Sequence, residues 1–152
     1  MTLNVNQAVC NSFKAELLGG VHDFDSGSGQ VFKLALYQSN AVLNATTTVY
    51  SSTNEVANTG QYTAGGGVLA GQNVSLDSAT GIVTFSDLSF TGVTLSALGA
   101  VIYNSTGNKA VCVLDFGAVK TATSGTFTIQ FPAFTAAAAI LRISLRRIAC
   151  RL

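Results

Sequence analysis

TFTIQF, residues 126–131, alternates without a fault: Phe127, Ile129 and Phe131 fall on one side, and Thr126, Thr128 and Gln130 on the other. A period of two belongs to an extended chain with one face buried and one in water. The stretch therefore reads as a half-buried strand. Upstream, AVCVLDF (110–116) sets Ala110, Cys112, Leu114 and Phe116 against Val111, Val113 and Asp115. VFKLALYQ (31–38) sets Phe32, Leu34 and Leu36 against Lys33 and Ala35. The same pattern predicts further strands within 67–76, 81–85, 88–95 and 100–103.

The punctuation between these runs is that of an antiparallel fold. The cluster Asn104-Ser-Thr-Gly-Asn108 separates two apolar runs and predicts a hairpin of 100–103 with 110–116. Asp77-Ser-Ala-Thr-Gly81 is a second turn cluster. The alternation slips between Phe85 and Leu88, and again at Gly92, so each slip predicts a turn or bulge rather than one long strand. Residues 39–67 are polar and rich in Gly and Thr, and a loop of that length is uncommon in a compact domain. It is expected to lie across the fold as an irregular arm with short edge strands, or to order against a neighbour. Removing the arm from Ser39 to Gly67 is expected to leave a core that still folds.

The N-terminus has a different period. Val5, Ala8, Val9, Phe13 and Leu17 recur at spacings of three and four, which predicts a helix over 4–20, capped by Asn4 or Asn6 and ended by Gly19-Gly20. The expectation is a single domain spanning 1–152. It is mainly β: an antiparallel β-sandwich, jelly-roll-like, over 31–144, with one short N-terminal helix and a basic tail at 145–152.

Composition narrows the function. Of 152 residues, 48% are apolar and 10% charged, where an ordinary soluble domain has about 25% charged. That excludes intrinsic disorder, and a net charge of +1 argues against bulk electrostatic binding of nucleic acid. No apolar run approaches the ~18 residues that span a bilayer, so no membrane partner is expected. The first twenty residues lack the basic start and apolar run of a signal peptide. Cys10, Cys112 and Cys150 are odd in number and far apart, so unlinked thiols in a reducing cytosol are expected, with neither a disulfide framework nor a zinc site.

The vocabulary for catalysis is small. His22-Asp23-Phe24-Asp25 is where the single histidine meets carboxylates, but neighbours in sequence rarely form a base–orienter pair and no nucleophile motif accompanies them. A polar turn after the helix is expected there. Read as a calcium loop starting at Asp23, the run places Leu34 where a bidentate Glu is needed, so that reading fails. Thr63-Ala-Gly-Gly-Gly67 lacks the Lys-Ser/Thr of a phosphate loop and reads as a flexible turn. No catalytic, cofactor or metal residues are assigned, and the chain is not expected to be an enzyme.

Charge is distributed unevenly. The chain up to Leu141 holds all seven acidic residues and four lysines, while the last eleven residues hold Arg142, Arg146, Arg147 and Arg151 and no acid. Leu141, Leu145, Ile148 and Leu152 could line a basic amphipathic helix, or 140–145 could form a last strand followed by a tail; the second reading is preferred. Docking onto an acidic subunit surface suits these arginines best, because the rest of the chain is itself net acidic.

The segment VFKLALYQSNAVLNATTTVYSSTNEVANTGQYTAGGGVLAG resembles a family of small virion structural proteins of tailed bacteriophages. AVIYNSTGNKAVCVLDFG and TFTIQFP extend the likeness, which covers residues 4–144 and departs at Ala136–Ala139 and SLRRIACRL. The resemblance implies a non-enzymatic part of the particle, assembled in the host cytoplasm and located in the virion. The leading expectation is a capsid cement or decoration protein bound to the major capsid protein. The alternatives are a neck or tail component, or a jelly-roll carbohydrate-binding module, against which the absence of tryptophan counts. Partners are other virion proteins and further copies of the chain. The residues expected at those contacts are Arg142, Arg146, Arg147, Arg151, Tyr50 and Tyr62.

Overall fold

A computed structural model describes residues 4–144. The elements in chain order are β1 (Ala8–Val9), α1 (Asn11–Leu18), β2 (Phe32–Tyr37), β3 (Gly67–Val68), β4 (Asn73–Asp77), β5 (Thr80–Thr84), β6 (Leu88–Asn104), β7 (Lys109–Ile129) and β8 (Leu141–Ile143). They form two antiparallel sheets, a five-stranded one ordered β1-β7-β6-β2-β3 and a three-stranded one ordered β4-β5-β8. This is the mainly β, two-sheet class with one short N-terminal helix that the alternation predicts.

The centre of the fold is the β6–β7 hairpin with β2 beside it. Leu34, Leu36, Val101, Ile102, Val111 and Val113 are fully buried, and the rings of Phe24, Phe32 and Phe85 close the core toward the small sheet. Phe24 and Phe32 stack at 4.3 Å between centroids. The predicted hairpin forms, with Asn104 opposite Lys109. So does the second turn, in which Asp77 faces Thr80 across Ser78 and Ala79.

Four local expectations are corrected. The helix is shorter than 4–20: it runs Asn11–Leu18, and the residues before it are extended. Ala8 and Val9 pair with Val113 and Cys112, and Val5 bridges Leu43. The three-and-four spacing of these apolar residues was satisfied by pairing with the sheet instead of by helical turns. Cys10, extended at φ −64° and ψ 139°, starts the helix without a side-chain cap, while Gly19-Gly20 ends it as expected.

Second, the slip at Gly92 is a bulge inside one seventeen-residue strand, β6, where Gly92 takes φ +64°. Third, 110–116 and 126–131 are not two strands. They belong to β7, which swells where Gly99 faces Asp115 and Ala97 faces Lys120, leaving 116–119 over. Phe131 falls just outside β7, with its N–H on an Asp87 carboxylate oxygen. Fourth, 67–76 divides at a corner into β3 and β4, where Gly71 takes φ +63°. In each of the last three cases an irregularity resets the phase of alternation, which a sequence of faces alone does not number.

Residues 39–67 follow the first of their two expected courses, across their own fold. They touch it through single bridges, Tyr37 with Glu55 and Val49 with Lys109, and bury Ala41, Leu43, Val56 and Tyr62. The glycine run at their end is a close fit and not a flexible turn. Gly66 holds φ +78°, and a β-carbon there would lie 1.9 Å from the Leu34 carbonyl oxygen.

Candidate functional site

Three places gather chemically capable side chains: a carboxylate–tyrosine cluster under the arm, a buried histidine behind α1, and an apolar groove between α1 and the small sheet.

The first is built on Glu55, which is 7% exposed. Its Oε1 accepts hydrogen bonds from the Tyr62 hydroxyl and the Gly65 N–H, each at 2.7 Å, and its Oε2 accepts one from the Tyr50 hydroxyl at 2.6 Å. The Tyr62 oxygen in turn accepts the Leu36 N–H of β2 at 2.8 Å. From the sheet, Tyr37 donates to the Ser51 carbonyl at 2.7 Å and Tyr103 donates to the Gly65 carbonyl. The Tyr50 and Tyr103 rings stack at 4.7 Å. Burial raises all four phenols above their ordinary value, and Glu55 adds to it, first through its hydrogen bonds for Tyr50 and Tyr62 and through its charge for Tyr37 and Tyr103.

This arrangement corrects the expectation for Tyr62. Tyr62 is 1% exposed, so it does not meet a partner; it ties the arm to β2. Tyr50 is half-buried, with its hydroxyl on the Glu55 carboxylate and its ring on Tyr103. Glu55 itself was not singled out from the sequence. The signal available was its isolation, as the one carboxylate between Asp25 and Asp77, in a segment holding two of the four tyrosines.

The second place is His22, expected in a polar turn. It is 5% exposed, packed on the Phe13 ring at 5.0 Å, with Nε2 2.7 Å from Glu16 Oε2. Asn104, the buried end of β6, lies 3.4 Å from Nδ1 through its amide nitrogen. The amide orientation is fixed, because Oδ1 accepts the Thr106 N–H while Nδ2 donates to Gln30 Oε1. Nδ1 is therefore the acceptor, and the neutral ring carries its proton on Nε2, toward Glu16. Partial burial opposes the Glu16 charge, but hydrogen bonds from His22 and Lys109 outweigh it and hold that carboxyl below its usual range.

No hydroxyl or thiol among the described residues bonds to the imidazole, so its geometry is that of a brace between α1 and β6. The polar turn does exist one residue later, where Asp23 and Asp25 accept backbone N–H groups at 2.9 Å. The thiols of Cys10 and Cys112 are free and buried, and Cys150 lies outside the described residues. Burial, with the Glu16 charge second, pushes Cys10 up to about 11. Among the described residues no group of three His, Cys, Asp or Glu side chains could hold a metal ion.

The third place is a half-open groove of about 710 Å³. Phe13, Leu17 and Leu18 of α1 form one wall, and Val74, Val83 and Ile143 of the small sheet form the other. Leu18 is 92% exposed there, and Val74 and Ile143 about half exposed. Lys14, Asp23 and Arg142 are the charged residues along it. Arg142, on β8, is exposed, with its guanidinium donating to the Ala137 carbonyl at 2.6 Å. Arg146, Arg147 and Arg151 lie outside the described residues.

Comparison with protein families, with curated proteins and with solved structures finds no match for this chain.

Proposed function

We propose that the chain is a non-enzymatic structural protein of a bacteriophage virion, and specifically a cement protein that binds and stabilises the major capsid shell. The observation that carries this reading is where its chemistry points. The histidine, the buried carboxylate and the tyrosines hold the chain to itself, while Leu18, Val74 and Ile143 stand in solvent around one groove. Apolar groups collected in one exposed place mark a surface made to be covered. The resemblance to small virion proteins supplies the setting. In a lattice, contacts that are weak singly add across many copies, which suits a small domain with 10% charged residues.

The test is the copy number of this chain relative to the major capsid protein, by quantitative mass spectrometry of purified particles. Cement predicts copies on the order of hundreds. About six or twelve, the size of a cyclic ring, would move the protein to the neck or tail. Its absence from particles would overturn the virion reading.

A further inference from the structure

Sheet edges in this molecule are treated unequally. β1 and β3 are two residues long and β8 three, too short to pair with much. Beyond Val113, the outer side of β7 is long, but it carries the bulge at 116–119, positive φ at Gly117 and Ser124, and Lys120. Short strands, bulges and an edge lysine are the devices that stop strand pairing. β4 has none of them. Its five residues, Asn-Val-Ser-Leu-Asp, keep an unbroken register with β5, carry no lysine and are exposed up to Asp77. Among the described residues nothing pairs with its outer side.

We infer that β4 pairs antiparallel with β4 of a second copy, across a two-fold axis at Ser75. The inference does not rest on the virion reading. Backbone geometry supplies the first argument. A two-residue turn makes Asp77 and Thr80 a mutually hydrogen-bonded pair. Alternation along an antiparallel ladder then aims the N–H and C=O of Val74 and Leu76 away from β5. In a two-fold pairing centred on Ser75, Val74 of each copy meets Leu76 of the other, and four backbone hydrogen bonds form.

The side chains fit the same register. Val74 and Leu76, 49% and 73% exposed, face each other in an apolar row that continues the wall of the groove. Ser75 meets its own copy, hydroxyl to hydroxyl. Asn73 lies opposite Asp77, whose Oδ2 is engaged by the Ala136 N–H at 2.6 Å while Oδ1 stays open to an amide donor. No like charges meet. A shift to pair Val74 with Val74 sets Leu76 against Gln72, and a shift to pair Leu76 with Leu76 sets Val74 against Ser78. Of these registers, the one centred on Ser75 matches all five residues.

Sedimentation equilibrium from about 10 µM to about 1 mM, the range suited to a small interface, should show a reversible monomer–dimer equilibrium. Val74→Pro with Leu76→Pro removes the two outward N–H groups at an edge, where proline is tolerated. Leu76→Lys keeps the backbone and spoils the apolar row. The proline pair removes the donors of all four bonds and should abolish dimerisation over this range, and Leu76→Lys should weaken it at least about tenfold by putting a charge into the apolar row. Residues facing each other without hydrogen bonds lie about 4.5 Å apart at Cα, within disulfide reach. In a Cys150→Ser background under mild copper-catalysed oxidation, Ser75→Cys should therefore crosslink dimers, and Asn73→Cys should not. A monomer throughout the range, a dimer unchanged by Leu76→Lys, or crosslinking equal at 73 and 75 would overturn the inference.

Discussion

Two regions flank the five-stranded sheet and differ in how they are held. The arm, residues 39–67, has almost no regular secondary structure, yet it buries Ala41, Leu43, Val56 and Tyr62 and closes every polar group around Glu55. The small sheet is regular, with a complete β4–β5 ladder, yet it leaves Val74, Leu76 and Ile143 half exposed or more. Regularity is therefore a poor guide to what is integral here. Burial and satisfied hydrogen bonds tie the irregular arm into the core, while the orderly sheet keeps an apolar face and a free edge for something else.

The largest effect should come from removing the arm. Deleting residues 40–65 removes Tyr50, Glu55 and Tyr62 and uncovers β2 with Tyr37 and Tyr103, and the expected product shows no cooperative thermal unfolding by circular dichroism. A deletion that melts cooperatively would reduce the arm to an appendage, as the sequence had allowed. Glu55→Ala comes next. It strands the hydroxyls of Tyr50 and Tyr62 and the N–H of Gly65, a loss of roughly 3–5 kcal/mol for one buried and two half-buried donors to a carboxylate. The urea midpoint measures it. Tyr62→Phe orphans the Leu36 N–H and removes one donor to Glu55, at a cost of about 2 kcal/mol on the same scale.

Alkali offers a sharper view of the cluster. Each tyrosine has its folded value raised above the unfolded one, near 10. The stability this represents is fully present below about pH 10 and is lost as pH rises beyond it. Absorbance at 295 nm should then show tyrosinate appearing together with loss of near-ultraviolet circular dichroism. A tyrosine that titrates near pH 10 with the fold intact would lie outside the cluster. The smallest effects belong to the other region: Leu18→Ser and Leu76→Ser remove exposed side chains and should leave the urea midpoint within about 0.5 kcal/mol of the parent.

What the sequence disclosed follows the same division. Period-two runs at 31–38, 110–116 and 126–131 disclosed a mainly β antiparallel fold because a half-buried strand imprints its faces on residue type. The turn clusters at 77–81 and 104–108 disclosed two hairpins. Strand continuity stayed hidden, since the bulges at Gly92 and 116–119 change the phase without changing the strand. The helix was overextended because Val5, Ala8 and Val9 are apolar for the sake of sheet contacts. The cluster stayed hidden for a stronger reason. Glu55 lies five residues from Tyr50 and seven from Tyr62 along an irregular path, and no period connects them. His22 and Glu16 meet only because the chain reverses at Gly19-Gly20.

The most direct test of the central claim, that the arm belongs to the fold and is not waiting for a neighbour, is amide hydrogen exchange of the free protein by NMR. The Gly65 N–H on Glu55 and the Val56 N–H on the Leu36 carbonyl should exchange as slowly as the β2 amides, through global unfolding. Exchange of these two within seconds, with β2 still protected, would contradict the account and return the arm to the role of a segment ordered by a partner.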